Sequence, residues 1–367
     1  MKIGIDISQI VYRGTGVARF TRGLTEAILQ YDADNQWIFF FFSLRQKLEG
    51  EIEEKIKSKG FRLIKYRLPP SLLSFLWNNL HLVNVDHLAG RLDWFISSDW
   101  TEPPSTTKKA TVVHDMVFLR YPETVAKKIR QTQEKRLKWV KKEAKIIFAD
   151  SQTTKNDLMN FFDIEGKRVI VNYPGVSVVK PSKTDISSTL NKYKLKKPFI
   201  LTVGKIEPRK NLSRLIEAFR QLAPKTIDLV VVGPKGWDTS INRLIEAKNV
   251  RFLNYVADKE LYALYSSCLF FIYPSIWEGF GYPLVEAMKL GAPTATSNTS
   301  SLKEIGNEAA LLFDPFDIKS IKKALERMIK DAKFRQKLTI LGKRKAKEFT
   351  WKRYYNAMIK ALRQNLT

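Results

Sequence analysis

Two glutamates eight residues apart, Glu278 and Glu286, bracket the stretch Glu278-Gly-Phe-Gly-Tyr-Pro-Leu-Val-Glu286. A carboxylate can accept two hydroxyl donors at once, which is the chemistry that holds a sugar or a ribose. The apolar run Leu269–Tyr273 just before them reads as a buried strand. Leu284 to Leu290 reads as a helix, with Pro283 near its first position and Gly291 just past its end. The glycine-rich turn therefore lies at the carboxyl end of a strand and faces a helix amino terminus, where open α/β sheets bind ligands. Glu286 is expected in the first helical turn, where a carboxylate also complements the helix dipole without any further role.

Three other turns carry residues of the same promise. Gly204-Lys205-Ile206-Glu207-Pro208-Arg209-Lys210-Asn211 leaves a strand and opens a helix. Free backbone N–H groups and the charges of Arg209 and Lys210 would suit a diphosphate there, though a solvated basic turn would look the same. Gly14-x-Gly16 at the first strand–helix turn could let backbone approach a phosphate or could simply be a tight turn, and it lacks the third glycine of a dinucleotide fingerprint. His114-Asp115 follows the strand Thr111–Val113, again at a carboxyl end. Of the three histidines, His81 and His87 fall in what reads as a long apolar helix from Ser71 to Leu88. A histidine beside an aspartate also suits general base catalysis. The single cysteine, Cys268, is expected to be a buried small hydrophobe, and with no Cys/His cluster no metal site is expected, neither zinc nor the Asp-x-Asp grip of a metal-dependent transferase.

The elements that must position these residues alternate strand and helix twice. In the amino-terminal half, strands are expected at Met1–Ile7, Trp37–Phe42, Phe61–Tyr66, Asp93–Ile96, Thr111–Val113 and Ile146–Ala149. Helices are expected from the Gly16 turn to Gln30, near Gln46–Lys57 and over Val125–Lys142. The pattern breaks near Val179 to Lys197 and restarts with strands at Phe199–Val203, Asp228–Val232, Arg251–Leu253, Cys268–Tyr273 and Thr294–Ala295. Helices over Asn211–Gln221, Ser240–Ala247, Lys259–Ser266 and Leu284–Leu290 lie between them. Beyond Ile318 everything reads helical, ending in Trp351–Leu366 with Thr350 as its cap. Such alternation implies parallel β-α-β units, so an α/β fold of two Rossmann-like doubly wound domains is expected. The expected boundaries are 1–180, a linker over 181–197, 198–349, and a final helix over 350–367.

Taken as a unit, Glu278-Gly-Phe-Gly-x-Pro-x-x-Glu286 resembles the Glu-x7-Glu signature of the family-four retaining glycosyltransferases of GT-B fold. The resemblance implies two domains facing each other across a cleft, the first for the acceptor and the second for a nucleotide sugar, with the last helix crossing back to the first domain. It implies that Lys210 grips the leaving diphosphate, with Lys205 (where many members carry arginine) and Arg209 beside it. Backbone at Gly279, Phe280 and Gly281 would touch the diphosphate, with Leu284 alongside. Glu278 would hold the transferred sugar and Glu286 the ribose. Gly14 and Gly16 would close over the phosphates, and His114 would contact the donor sugar near the reaction centre. Loops at Gly233–Gly236 and Asn254–Val256 would lie near the nucleotide. The mechanism it implies needs no metal and no cofactor beyond the donor, which is a substrate. The Gly-x-Gly-Val-Ala-Arg turn with Glu-Pro-Arg-Lys-Asn is most similar to the bacterial mannosyltransferase branch, which makes GDP-mannose the first donor to expect.

Composition sets the outer limits. A chain of 367 residues with 44% hydrophobic residues has enough to bury two cores. One cysteine fits a reducing compartment, and the opening Met1–Ile7 turns polar too soon for a secretory signal. No apolar stretch is long enough to span a bilayer. The net charge of +26 calls for an anionic partner. Lys127, Lys128, Arg130, Lys135, Arg136, Lys138, Lys141, Lys142 and Lys145 gather on and just beyond one expected helix, a stripe suited to anionic phospholipid. Peripheral contact with the inner face of a cell membrane, with a glycan or lipid-linked acceptor, is therefore expected. A UDP-sugar 2-epimerase of the same fold is the second reading and a nucleic-acid-binding protein the third, although no recognition motif for nucleic acid is present.

Overall fold

The computed structural model describes residues 1–12, 14–241 and 249–366. The chain divides into two compact units, Met1–Gly175 with Thr350–Thr367, and Val176–Phe349. The first holds a seven-stranded sheet: β1 Lys2–Asp6, β2 Gln36–Phe42, β3 Arg62–Tyr66, β4 Trp94–Ser97, β5 Lys108–Val113, β6 Ala144–Ala149 and β7 Val169–Val171, in the order β3-β2-β1-β4-β5-β6-β7. The second holds β8 Phe199–Val203, β9 Asp228–Val232, β10 Val250–Phe252, β11 Phe270–Tyr273, β12 Thr294–Ser297 and β13 Leu311–Phe313, in the order β10-β9-β8-β11-β12-β13. All paired strands run parallel. Both units are thus doubly wound, as the alternation of elements predicts. Strand order reverses beside β1 and β4 in one sheet and beside β8 and β11 in the other, and ligands bind such sheets at those carboxyl ends.

The strand sequences explain the burial. In β2 every residue after Gln36 is buried, giving Trp37-Ile-Phe-Phe-Phe-Phe42 no polar face. That is the signature of a parallel strand covered on both sides. In the second unit β8, β9 and β11 contribute Ile200, Leu229, Val231, Phe270 and Ile272 to one core, packed under Leu215, Ile216 and Phe219 of the Leu212–Leu222 helix. The final helix, Trp351–Gln364, is capped by the Thr350 hydroxyl and buries Tyr354, Met358 and Leu362 in the first unit. Two glycines admit it. A Cβ on Gly23 would lie 2.1 Å from the Trp351 ring, and one on Gly175 would lie 2.4 Å from the Trp351 nitrogen.

Several expectations are corrected. The stretch 181–197 contains a helix, Lys183–Lys192, closed by a Ser182–Asp185 capping box. The capping box is a strong local start signal, and the helix belongs to the second unit. The chain passes between units at Gly175–Val176 and again at Phe349–Thr350. The helix expected from Gln46 begins only at Gly50. Ser71–Leu88 is not one helix: it breaks into a short helix Pro70–Ser74, a wide π-type turn Phe75–Leu80, and a short helix Asp86–Ala89. His81 and Val83 take left-handed backbone there. Buried Asn78 ties the break down, donating to the Trp100 carbonyl and accepting from the Glu102 N–H. The edge strands β7 and β13 and the helix Gln152–Phe162 add to the expected elements. Of the helix expected at Ser240–Ala247, Ser240 and Ile241 belong to a 3-10 turn, and the rest lies outside the described residues.

Candidate active site

In the second unit the loops after β8 and β11 flank the sheet's reversal point, so the two turns singled out from sequence meet. Glu278 is 8% exposed and is the hub. Its Oε1 accepts from Lys210 Nζ at 2.6 Å, Tyr273 OH at 2.8 Å and Ser275 Oγ at 2.6 Å. Its Oε2 faces Arg209 Nη1 at 2.7 Å. Arg209 also donates to the Trp277 carbonyl and to Glu207 Oε1. Lys210 adds a hydrogen bond to the Tyr273 hydroxyl. Burial alone would push the Glu278 carboxyl up, but Arg209 and then Lys210 outweigh it and hold the group well below the usual carboxylate range. Burial, then the Arg209 charge, pulls the Lys210 ammonium down, with Glu278 opposing.

This geometry refines the expected role of Glu278. Each carboxylate oxygen offers about two acceptor sites; three donors crowd Oε1, and Arg209 takes one site of Oε2. Glu278 therefore presents Arg209 and Lys210, and has room for one further donor rather than two.

Backbone shape comes from the neighbouring strand. Gly204 N–H donates to the Val232 carbonyl and Ile206 N–H to Pro234. Gly233, with φ 152°, makes this possible, because a Cβ there would lie 2.0 Å from the Gly204 carbonyl oxygen. The Gly233–Gly236 loop thus packs on the Lys205 turn, and the exposed Lys205 ammonium sits 4.6 Å from the Trp237 ring centre. The Gly233 N–H reaches the Asn254 carbonyl. Asn211, left-handed at φ 56°, pins the turn through its amide to the carbonyls of Pro274 and Pro315.

Glu286 is corrected in place. The helix runs Tyr282–Leu290 with Gly281 as a left-handed N-cap, so Glu286 lies two residues further in than expected, in the second turn. It is 2% exposed, and Tyr265 OH donates to its Oε2 at 3.4 Å. The helix start has no side-chain cap. The side chains of Phe280 and Leu284 are core, Phe280 packing edge-on against Tyr282 and Phe349, so only backbone at Phe280 suits a ligand. Cys268 is half-buried at the end of the Asp258–Ser267 helix rather than fully buried, and burial pushes its thiol far up.

In the first unit, Gly14 (φ 80°) and Gly16 are exposed on the turn into the Gly16–Tyr31 helix, where the Thr15 hydroxyl accepts from Ala18 N–H. His114 stands after β5, but its partner is not the adjacent Asp115. His114 Nδ1 lies 2.7 Å from Oδ2 of Asp150, at the end of β6. Burial pulls the imidazolium down, yet Asp150, then Asp99 and Asp115, outweigh it and raise the group to about 9. A cationic histidine does not act as a general base at neutral pH. Sequence reasoning missed Asp150, Glu207, Tyr273 and Ser275. Glu207 lies inside the basic segment and Tyr273 and Ser275 flank the turn, whereas Asp150 needs the β5–β6 pairing to become visible.

One further correction concerns metal. The chain does hold an Asp-x-Asp, Asp32-Ala33-Asp34, on the turn leading into β2, at the amino end of the sheet. Asp32 accepts from Asp34 and Asn35 N–H and from the Asn35 amide and Trp37 indole. Asp34 pairs with Arg363. Among the described residues no group of three or more His, Cys, Asp or Glu is disposed to hold a metal ion.

Comparison with known proteins converges on one family. The model of the family "glycosyl transferases group 1" matches residues 184–345. The O-antigen chain mannosyltransferase B of Escherichia coli is 28% identical over 368 residues, covering 96% of each chain. Sucrose-phosphate synthase from Thermosynechococcus elongatus superposes with a TM-score of 0.76 at 18% identity, covering 99% of this chain and 98% of that one. Anabaena HepE, solved with UDP and glucose, superposes with a TM-score of 0.73 at 17% identity over 99% of this chain and 100% of that one. With two doubly wound units and the glutamate-bracketed turn between β11 and its helix, this chain has the GT-B fold and is similar to glycosyltransferases, O-antigen mannosyltransferases among them.

Proposed function

We propose that the protein is a retaining glycosyltransferase that moves mannose from GDP-mannose to a hydroxyl of a glycan or lipid-linked acceptor in cell-surface polysaccharide synthesis. The observation that carries this reading is the convergence of Arg209 and Lys210 on Glu278 at the sheet's reversal point. Paired cations beside two helix starts suit a departing diphosphate, whose growing charge they stabilise in a partly desolvated site. The full-length likeness to an O-antigen mannosyltransferase supports the sugar, and a nucleotide-sugar donor fits the UDP and glucose bound by HepE. The epimerase and nucleic-acid readings have no comparable support.

In this reading the bond between the anomeric carbon and the β-phosphate oxygen breaks as the acceptor oxygen bonds to the same carbon from the same face. The acceptor's hydroxyl proton passes to the departing phosphate, so no protein base is needed. Arg209 and Lys210 take the diphosphate, with Lys205 and backbone at Gly279–Gly281 beside them. Glu286 takes the ribose hydroxyls, Glu278 takes one sugar hydroxyl, His114 serves the transferred sugar, and Gly14 and Gly16 serve the phosphates. No metal takes part.

The acceptor's side of the proposal includes an anionic membrane. Leu72, Phe75, Leu80, Leu82 and Val83 are exposed apolar residues in one short stretch. The basic helix Lys127–Glu143 packs beside it: Trp139 donates to the Asn78 carbonyl and stacks on His81 at 3.5 Å, with Lys142 over the same indole. Arg136 leaves the expected basic stripe, because it is buried and bonded to Thr111 and the Val112 carbonyl, and Lys145 lies on β6. Lys135, Lys138, Lys141 and Lys142 remain exposed. Among the described residues no helix is long and apolar enough to cross a membrane. Exposed apolar side chains beside a lysine-bearing helix suit the surface of an anionic bilayer at the cytoplasmic face.

A thermal-shift panel of GDP-, UDP- and ADP-sugars tests the donor. A ligand at about 100 times its dissociation constant stabilises by about 2.7 kcal/mol, so GDP-mannose should raise the melting point most. An unmoved melting point with every nucleotide sugar would overturn the donor assignment.

A further inference from the structure

The mechanism above gives His114 a role and leaves its buried partner without one. Asp150 closes β6, the neighbour of β5, and its side chain is only 3% exposed. Oδ2 takes the His114 Nδ1 contact at 2.7 Å, while Oδ1 has no hydrogen-bond partner among the described residues. A buried carboxylate held by one cationic ring is costly unless the pairing is kept for a purpose. The ring is fixed on its other sides too. Phe20, from the Gly16–Tyr31 helix, meets it edge-on at 4.6 Å, and Phe20 is backed by Trp351 and Tyr354 of the last helix. Thr154 holds the His114 carbonyl.

Resting on the proposed function, we propose that Asp150 is the positioning residue of His114. By accepting the Nδ1–H hydrogen bond it fixes the imidazolium's orientation and leaves Nε2–H as the edge that donates to the transferred sugar. The charged groups around the ring are Asp99 after β4, Asp115 beside it and Asp150 itself, all acidic. The last helix contributes Tyr354, whose phenol burial pushes well up. Asp99 is itself neutralised in part by Arg136 at 3.3 Å. Asp150 lies within hydrogen-bond distance of Nδ1, so it sets which edge of the ring is left to face outward. The ring then acts as a fixed donor across the neutral range and does not shuttle a proton.

The test uses the full chain labelled at its three histidines, with the His114 signal assigned by its loss in His114→Asn. In the wild type this imidazole should titrate well above the ordinary imidazole value. In Asp150→Asn the midpoint should fall by about one pH unit or more, and kcat/KM for the nucleotide sugar should fall by about 10- to 100-fold, the weight of one charge-assisted hydrogen bond. Its pH profile should gain a new limb in the neutral range. Asp150→Glu should restore part of both, and it replaces Asp150→Asn if the latter does not fold. An unmoved His114 midpoint in Asp150→Asn overturns the proposal, as does a shifted midpoint with turnover and pH profile unchanged. If the wild type turns over no nucleotide sugar, the functional reading fails instead, and the titration still decides whether Asp150 governs the ring.

Discussion

At the residue scale the second unit's cluster is balanced in charge. Arg209 and Lys210 are matched by Glu207 and Glu278, so a bound diphosphate competes with Glu278 for the same two cations. Glu278→Ala should therefore spare or tighten binding of a plain nucleoside diphosphate while turnover falls, as calorimetry beside a transfer assay would show. Glu286→Ala should weaken the nucleotide itself by about 10- to 100-fold, the worth of hydrogen bonds to a charged acceptor. Equal nucleotide affinity in wild type and both variants would refute this division of labour. The pH dependence has a definite sign. Raised from its usual 6.5 to about 9, His114 contributes stability that is fully present below about pH 6.5 and lost as pH rises through about 9. Melting points from pH 6 to 10 should fall across that window in the wild type and fall less in His114→Asn. Glu278 has the opposite sign: its contribution is present above its usual 4.5 and disappears only in strong acid.

At the scale of elements, parallel strands put chemistry at their carboxyl ends, and the two reversal points decide which ends matter. That much could be read from sequence, because Gly204–Asn211 and Pro274–Glu286 each follow a largely apolar strand. Contacts between side chains could not. Glu278 reads as a free sugar-binding carboxylate until β8 and β11 are known to be neighbours, which brings Arg209 and Lys210 onto it. Asp150 is invisible for the same reason, since its partner is 36 residues away. Ser71–Leu88 misleads in another way, for its apolar content is helical in period while Asn78 is bonded outward and breaks the turn. The last helix gives the element-level prediction. Gly23→Ala puts a Cβ 2.1 Å from the Trp351 ring; overpacking of this kind costs about 1–3 kcal/mol and should lower the melting point. An unchanged melting point would mean that the Trp351–Gln364 helix docks otherwise.

At the scale of the whole molecule, the net charge of +26 is not accounted for by the proposed donor site, whose nearest charges cancel. It lies elsewhere, in part on the exposed lysines of Lys127–Glu143. Changing Lys135, Lys138 and Lys142 to glutamate should reduce sedimentation with anionic vesicles by roughly 100-fold or more in affinity, at about 1 kcal/mol per lysine near the surface. Neutral vesicles should discriminate little between the two proteins, and equal binding to anionic vesicles would remove the membrane from the proposal. The central claim is narrower, that Arg209 and Lys210 hold the diphosphate of a nucleotide-sugar donor. The most direct measurement is calorimetric titration of GDP and UDP into the wild type and into Arg209→Ala and Lys210→Gln, with melting points recorded on the same samples. The expected result is a loss of about 10- to 100-fold for the preferred nucleotide in each folded variant. Undiminished affinity in both would contradict it.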